Sequence, residues 1–196
     1  MTEGFQRRRR GGAVATFTGF EADLLRSLAS QLVELLRNEM AAPKDSDDTL
    51  EGLLDFSGPT TEPDDPVLAR LFPTAYPGDT EAAGEFRRFT ERGLRDSKAQ
   101  AAVEIIDTLE EAGLPGELSE EGLTLDVELD TTQAMTWLRS FTDIRLALAT
   151  RLGVEDGDDQ RWMDMSDADP QAHVYDIYQW VGYLQETLVE AVDRGR

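Results

Sequence analysis

Hydrophobic residues recur along this chain with two different periods. Phe20, Leu24, Leu25, Leu28, Leu32, Leu35 and Leu36 fall at spacings of three and four, as one face of a helix requires. Thr18-x-x-Glu21 in front of them reads as a capping box, so a helix is predicted over 19–41. Ala134, Leu138, Phe141, Leu148 and Leu152 repeat the pattern behind Asp130-x-x-Gln133, predicting a helix over 131–152. Val174, Tyr178, Val181, Leu188 and Val192 predict a last helix from Pro170 to about 192. Asp65 before Pro66 marks a short helix over 66–72, stopped by Pro73. From Asp79 to Ala112 the composition is helical, but the apolar phase changes at Gly93. Phe86 and Phe89 precede it, whereas Leu94, Ala101, Ile105 and Leu109 lie on another face, which predicts two helices or one kinked helix.

The second period is two. Leu123, Leu125, Val127 and Leu129 alternate with polar residues, as a half-buried strand should. Residues 4–17 hold two strand-like stretches around Gly11-Gly12, a dipeptide suited to positive φ, and predict a β-hairpin with a basic first strand. The 123–129 strand is a candidate partner for it. Residues 45–65 carry eight acids and no base, interrupted by Gly58-Pro59 and Pro63, and read as a long acidic loop; 153–169 reads as a second. The expected fold is mainly α: one domain over 1–196, a bundle of four to five helices with a small antiparallel β element and a basic hairpin arm over 1–17.

Composition narrows the chemistry. At 196 residues and 40% hydrophobic the chain can bury a sizeable core, and its formal charge of -21 opposes broad electrostatic binding to nucleic acid. Without cysteine, disulfides, thiolate catalysis and Cys-ligated metals are excluded; a single histidine, His173, leaves no multi-histidine site. No phosphate-loop, dinucleotide, Gly-x-Ser-x-Gly or His-Glu-x-x-His motif occurs. No catalytic residue, cofactor site or metal site is therefore assigned, and the chain is read as not an enzyme. No signal-peptide or membrane-spanning run of apolar residues is present, so a cytoplasmic protein is expected.

Two polar features remain. Lys98, Arg145 and Gln185 each fall on an otherwise apolar helical stripe, which makes them a candidate buried polar network. Arg145 is expected to be buried or half-buried against a carboxylate, with Asp143, Asp176 and Glu186 as candidates. The plain reading is a satisfied network or long side chains reaching the rim; the sharper one is a ligand pocket or a dimer interface. Separately, Arg87, Arg88, Arg92, Arg95 and Lys98 cluster on one arc of a helix, and with Arg7, Arg8, Arg9 and Arg10 they are the candidate contact surface for DNA or a partner. The plain reading is neutralisation by Glu81, Glu85 and the acidic loops.

The stretches Asp65-Pro-Val-Leu-Ala-Arg-Leu-Phe-Pro-Thr-Ala-Tyr-Pro, Glu85-Phe-Arg-Arg-Phe-Thr-Glu, the block from Trp137 to Val154 and Leu184-Gln-Glu-Thr-Leu-Val resemble an actinobacterial family of acidic domains of unknown function. That family includes the oxidative-stress transcriptional regulator AosR. The resemblance covers nearly the whole chain. It implies a cytoplasmic, homodimeric transcriptional regulator that answers oxidants through a cysteine pair and works with a stress sigma factor or RNA polymerase. This sequence has no cysteine, so the redox switch has no residues here to carry it. Three readings follow: a regulator or adaptor acting through protein contacts, a DNA-binding regulator, and a small-ligand or metal-binding protein built from carboxylates and arginines.

Overall fold

The computed structural model describes residues 3–9, 11–38, 58–117, 122–155, 157, 162, 164–166 and 168–193. Arg10, most of the expected acidic loop 45–65, parts of the second one and the stretch beyond Asn38 expected to end the first helix lie outside them. Three strands and five helices are described, in the order β1 (Gln6–Arg7), β2 (Ala13–Thr18), α1 (Gly19–Asn38), α2 (Pro66–Leu71), α3 (Thr80–Glu111), β3 (Thr124–Leu129), α4 (Thr131–Leu152) and α5 (Pro170–Asp193). The fold is mainly α with a small antiparallel sheet.

The sheet runs β1-β2-β3, antiparallel throughout, with Ala13 opposite Leu129, Ala15 opposite Val127 and Phe17 opposite Leu125. These six side chains are buried, whereas Thr16, Thr18, Asp126 and Glu128 between them face water. Alternation in sequence has become two faces of one sheet. The turn from β1 to β2 is closed by Arg8 N–H donating to Gly12 O at 3.2 Å and Gly11 N–H to Arg8 O at 3.1 Å. Gly12, at φ +81°, has no room for more: a Cβ there would lie 2.0 Å from the Leu129 carbonyl.

The helix starts follow local chemistry. Thr18 N–H donates to the Glu21 carboxylate at 2.9 Å while Glu21 N–H donates to Thr18 Oγ1 at 3.3 Å, a complete capping box. Asp130 and Gln133 make another at the start of α4, and Asp65 caps α2 through the Val67 and Leu68 amides. Of the two alternatives at Gly93, α3 is the single helix: 32 residues that pass through that glycine. Most of its buried positions form one continuous stripe, Gly84, Arg87, Glu91, Arg95, Ala99, Ala102, Ile105 and Leu109, with Ala101 and Thr108 buried beside it. The phase change arose because the inward positions of the first half are charged while its phenylalanines point outward. Leu94 and, on α1, Phe20 also face water, at 47% and 69% exposure, against their expected place on apolar stripes.

The core lies where the inner face of the sheet meets α1, α4 and α5 and continues between α1 and α3. At its centre Phe5 packs edge-on against Phe17 and Trp137, with ring centroids 5.9 and 5.8 Å apart, and Trp137 meets Phe141 at 5.7 Å. The close approach at Gly12 yields a direct comparison with Gly78, which has φ +94° and no neighbour within 4 Å of an added Cβ. Gly78→Ala should cost about 1 kcal/mol, the left-handed strain alone, and Gly12→Ala about 3 kcal/mol or more. Urea denaturation of both variants checks this, and equal losses would show that the Leu129 carbonyl yields freely.

Candidate functional site

The first half of α3 carries the basic cluster singled out above, and its helix divides that cluster in two. Arg87, Glu91 and Arg95 succeed one another at four-residue spacing and point inward, at 8%, 2% and 3% exposure. Arg87 pairs with Glu91 Oε2 and donates its other amino group to the Phe72 carbonyl at 3.0 Å. Arg95 donates through Nε and Nη2 to Glu91 Oε1, at 2.9 and 2.7 Å, and lies 4.9 Å over the Phe72 ring. Arg87 and Arg95 are therefore not part of an exposed contact face, in contrast to the sequence expectation. One carboxylate holds both guanidinia within the fold.

The outer side of α3 keeps Arg88 and Arg92, both exposed and without a carboxylate partner among the described residues. Between them Phe89 is 77% exposed; beside it are Phe86 and, from the preceding loop, Tyr76, at 42% and 49%. Tyr76 meets Phe86 edge-on at 5.8 Å, and the Arg88 guanidinium is 5.8 Å from the centre of the Phe89 ring. Exposed aromatic rings side by side are what a binding surface needs and an inert surface avoids. Sequence reasoning missed them as surface residues. The available signal was the Arg87-Glu91-Arg95 spacing, which claims the inward face and leaves the phenylalanines outside.

The hairpin arm does not extend this surface into a continuous basic one. It packs against α5 and α1, whereas α3 packs against α1 and α4. Arg7 and Arg9 are exposed, and Arg8 is paired with Glu128 across the sheet.

The expected network of Lys98, Arg145 and Gln185 is two separate clusters joined by α4. Lys98 Nζ donates to Asp143 Oδ1 at 2.6 Å, linking α3 to α4 within the lining of an open cleft of about 730 Å³ that Ser97, Gln100, Glu104, Thr136 and Arg139 also line. Burial holds the Asp143 carboxyl above its ordinary range, and the hydrogen bond and charge of Lys98 only partly offset that. On the other side, Arg145 donates to Gln185 Oε1 at 2.9 Å and to the Tyr178 hydroxyl at 3.4 Å, with the Tyr178 ring 5.1 Å away. Gln185 also donates to Thr142 Oγ1 at 2.7 Å. The carboxylate expected for Arg145 is absent from this cluster, because Asp143 is engaged by Lys98. Gly182 makes the approach possible: a Cβ there would lie 3.3 Å from the guanidinium carbon.

Elsewhere, His173 is exposed, Trp137 is fully buried and Trp162 stacks on Tyr175 at 4.7 Å. Among the described residues no group of three or more His, Asp or Glu side chains is placed to hold a metal ion, and no helix is long and apolar enough to cross a membrane.

The molecule is thus a mainly helical domain whose most distinctive surface is an arginine-flanked aromatic face. Its sequence matches the family described as "Domain of unknown function (DUF2017)" over residues 2–192, and the chain belongs to that family. It is 30% identical over 183 residues to the oxidative stress regulator AosR of Mycobacterium tuberculosis (strain ATCC 25618 / H37Rv), covering 86% of this chain and 77% of that protein. The putative oxidative stress regulator AosR of Mycobacterium leprae (strain TN) is 31% identical over 186 residues, covering 88% and 78%. No solved structure matches the chain.

Two predictions separate the polar clusters. Lys98→Met leaves the Asp143 carboxylate buried without its cation. A fully buried pair broken this way costs about 3–5 kcal/mol; Lys98 keeps 26% of its side-chain surface, so about 2 kcal/mol is expected at neutral pH. Asp143 has its native pKa raised from 3.8, so the folded state holds its proton longer than the unfolded one. Its contribution to stability is full below 3.8 and falls as pH rises through the raised native value. The loss in Lys98→Met should accordingly shrink as pH is lowered toward 3.8, which urea titrations at several pH values measure. Arg145→Met strands no carboxylate and should cost no more than about 2 kcal/mol, the scale of hydrogen bonds to a charged group. A loss of twice that in chemical denaturation would mean that Arg145 has a charged partner after all.

Proposed function

We propose that this chain is a regulator in the response to oxidative stress that acts without catalysis, through protein contacts made by the outer face of α3. Relatives named as oxidative stress regulators, alike over most of both chains, support the regulatory role. The observation that carries the mode of action is the exposed group of Tyr76, Phe86 and Phe89 beside the exposed Arg88 and Arg92. The partner that fits is a protein with an apolar centre and an acidic rim. The transcription machinery, a stress sigma factor or RNA polymerase, is the reading the family implies, in a cytoplasmic homodimeric regulator. With no cysteine in the sequence, an oxidant signal reaches the chain through its partner and not through a thiol of its own.

DNA is the second reading, favoured by Arg88 and Arg92 alone. Two phosphate contacts give a loss of only about tenfold in affinity between roughly 50 and 200 mM salt, where DNA-binding proteins with six to ten contacts lose about 10³–10⁵. The overall charge of -21 works against even that.

Affinity for purified RNA polymerase and for individual sigma factors from the native host should fall at least tenfold in Phe89→Ser and in the double variant Arg88→Glu/Arg92→Glu. Thermal unfolding should stay close to that of the parent, since all three side chains are at the surface. Raising salt should weaken the parent's binding more than the double variant's. Unchanged affinity in a folded variant would move the contact elsewhere. Unaltered transcript levels after peroxide in a strain lacking the protein would overturn the regulatory role itself.

A further inference from the structure

Among the described residues, the sheet ends on one side in a strand, β3, with nothing paired to its outer edge. Gly19 N–H donates to Leu123 O at 2.7 Å, and the register continues through Phe17 opposite Leu125, Ala15 opposite Val127 and Ala13 opposite Leu129. Peptide groups alternate in direction along a strand, so those of Leu125, Val127 and Leu129 point at β2 and those of Thr124, Asp126 and Glu128 point away from it. The elements packed against β3 are β2, α1 and α4, the helices on the inner face. Among the described residues, no hydrogen bond reaches the amides of Thr124, Asp126 or Glu128. This is an open template for one more strand.

The side chains define what that strand must look like. Leu125, Val127 and Leu129 are fixed in the core, so an added strand has its register set against an immobile pattern. Thr124, Asp126 and Glu128 are exposed on the solvent face, and the two acids each have one oxygen engaged. Asp126 Oδ1 accepts from Thr16 Oγ1 at 2.6 Å and Glu128 Oε2 is paired with Arg8, and the other oxygen of each has no partner among the described residues. A second copy is a poor occupant. Antiparallel self-pairing centred on Asp126 sets that acid against its own copy, and pairing one step along sets Asp126 against Glu128, between chains of charge -21. A strand with basic side chains at alternate positions meets the same edge with opposite charge.

We propose that the outer edge of β3 receives an extended segment of a partner protein, paired through the Thr124, Asp126 and Glu128 peptide groups, with basic side chains at alternate positions over Asp126 and Glu128. This surface is distinct from the outer face of α3 and does not depend on it.

The test uses the full chain and two synthetic ten-residue peptides, one alternating Lys with Val and one alternating Glu with Val. Amide hydrogen exchange followed by NMR should show Thr124, Asp126 and Glu128 exchanging fast in the free protein and at least tenfold more slowly with the Lys/Val peptide, and unchanged with the Glu/Val peptide. Asp126→Pro removes one outward N–H while leaving the ladder to β2 intact, because proline is accepted where a strand's N–H faces solvent. It should abolish this protection. Asp126→Asn/Glu128→Gln keeps every backbone group and should weaken Lys/Val peptide binding several-fold and flatten its salt dependence, which keeps the test open if the proline variant does not fold. Slow exchange of the three amides in the free protein, equal binding of the two peptides, or protection that grows with protein concentration and needs no peptide would each overturn the proposal, the last in favour of a second copy.

Discussion

A single carboxylate, that of Glu91, is clamped between two guanidinia inside α3, and much of the molecule's surface follows from it. Two arginines and one glutamate share the inward stripe in a nearly dry position. The Phe72 carbonyl also accepts from Arg87, and the Phe72 ring lies under Arg95. Those contacts come from the end of α2, so the charged stripe also fixes where that short helix lies. With the inward positions of the first half of α3 taken by charge, Phe86 and Phe89 have no route into the core. The aromatic face is the other side of the same arrangement.

α4 plays the corresponding role for the second half of the fold. Its Asp143 engages Lys98 from α3 and its Arg145 engages Gln185 and Tyr178 from α5, two residues apart and toward different neighbours. Each contact is directional where the surrounding leucines and alanines are not. A helix that can slide or rotate in an apolar groove is held by such bonds in one rotation and one height. The two clusters differ in kind: one is an ion pair that depends on pH, the other a charge met by neutral oxygens and an aromatic ring.

What the sequence made legible was local. Capping boxes at Thr18 and Asp130, Pro66 behind Asp65, glycines at the hairpin turn and the alternation from 123 to 129 each act within a few residues, and each element they predict is present. The errors arose where a residue's side is decided by something distant. Apolar periodicity assigns Phe86 and Phe89 to an inner stripe, and only the ion pairs four residues apart reveal that the stripe is charged. Arg145 was expected to need a carboxylate because a guanidinium on an apolar stripe usually does. The structure uses an amide, a hydroxyl and the bare backbone at Gly182, a combination that no spacing in the chain announces.

The amino-terminal segment is tied to the last helix at three points. Phe5 N–H donates to Thr187 Oγ1 at 3.0 Å, Tyr183 Oη donates to the Glu3 carbonyl at 2.8 Å, and Gly4 lies against Thr187 so closely that a Cβ would come within 2.7 Å of it. Phe5 in turn belongs to the ring cluster at the centre of the core. A chain emerging from the ribosome therefore has its first strand long before it has the surface that seats it. The aromatic centre stays unsealed until residues beyond 180 have been made, and closure joins positions separated by 182 residues. A nascent or truncated chain that stops short of α5 exposes the rings that the folded protein hides most completely.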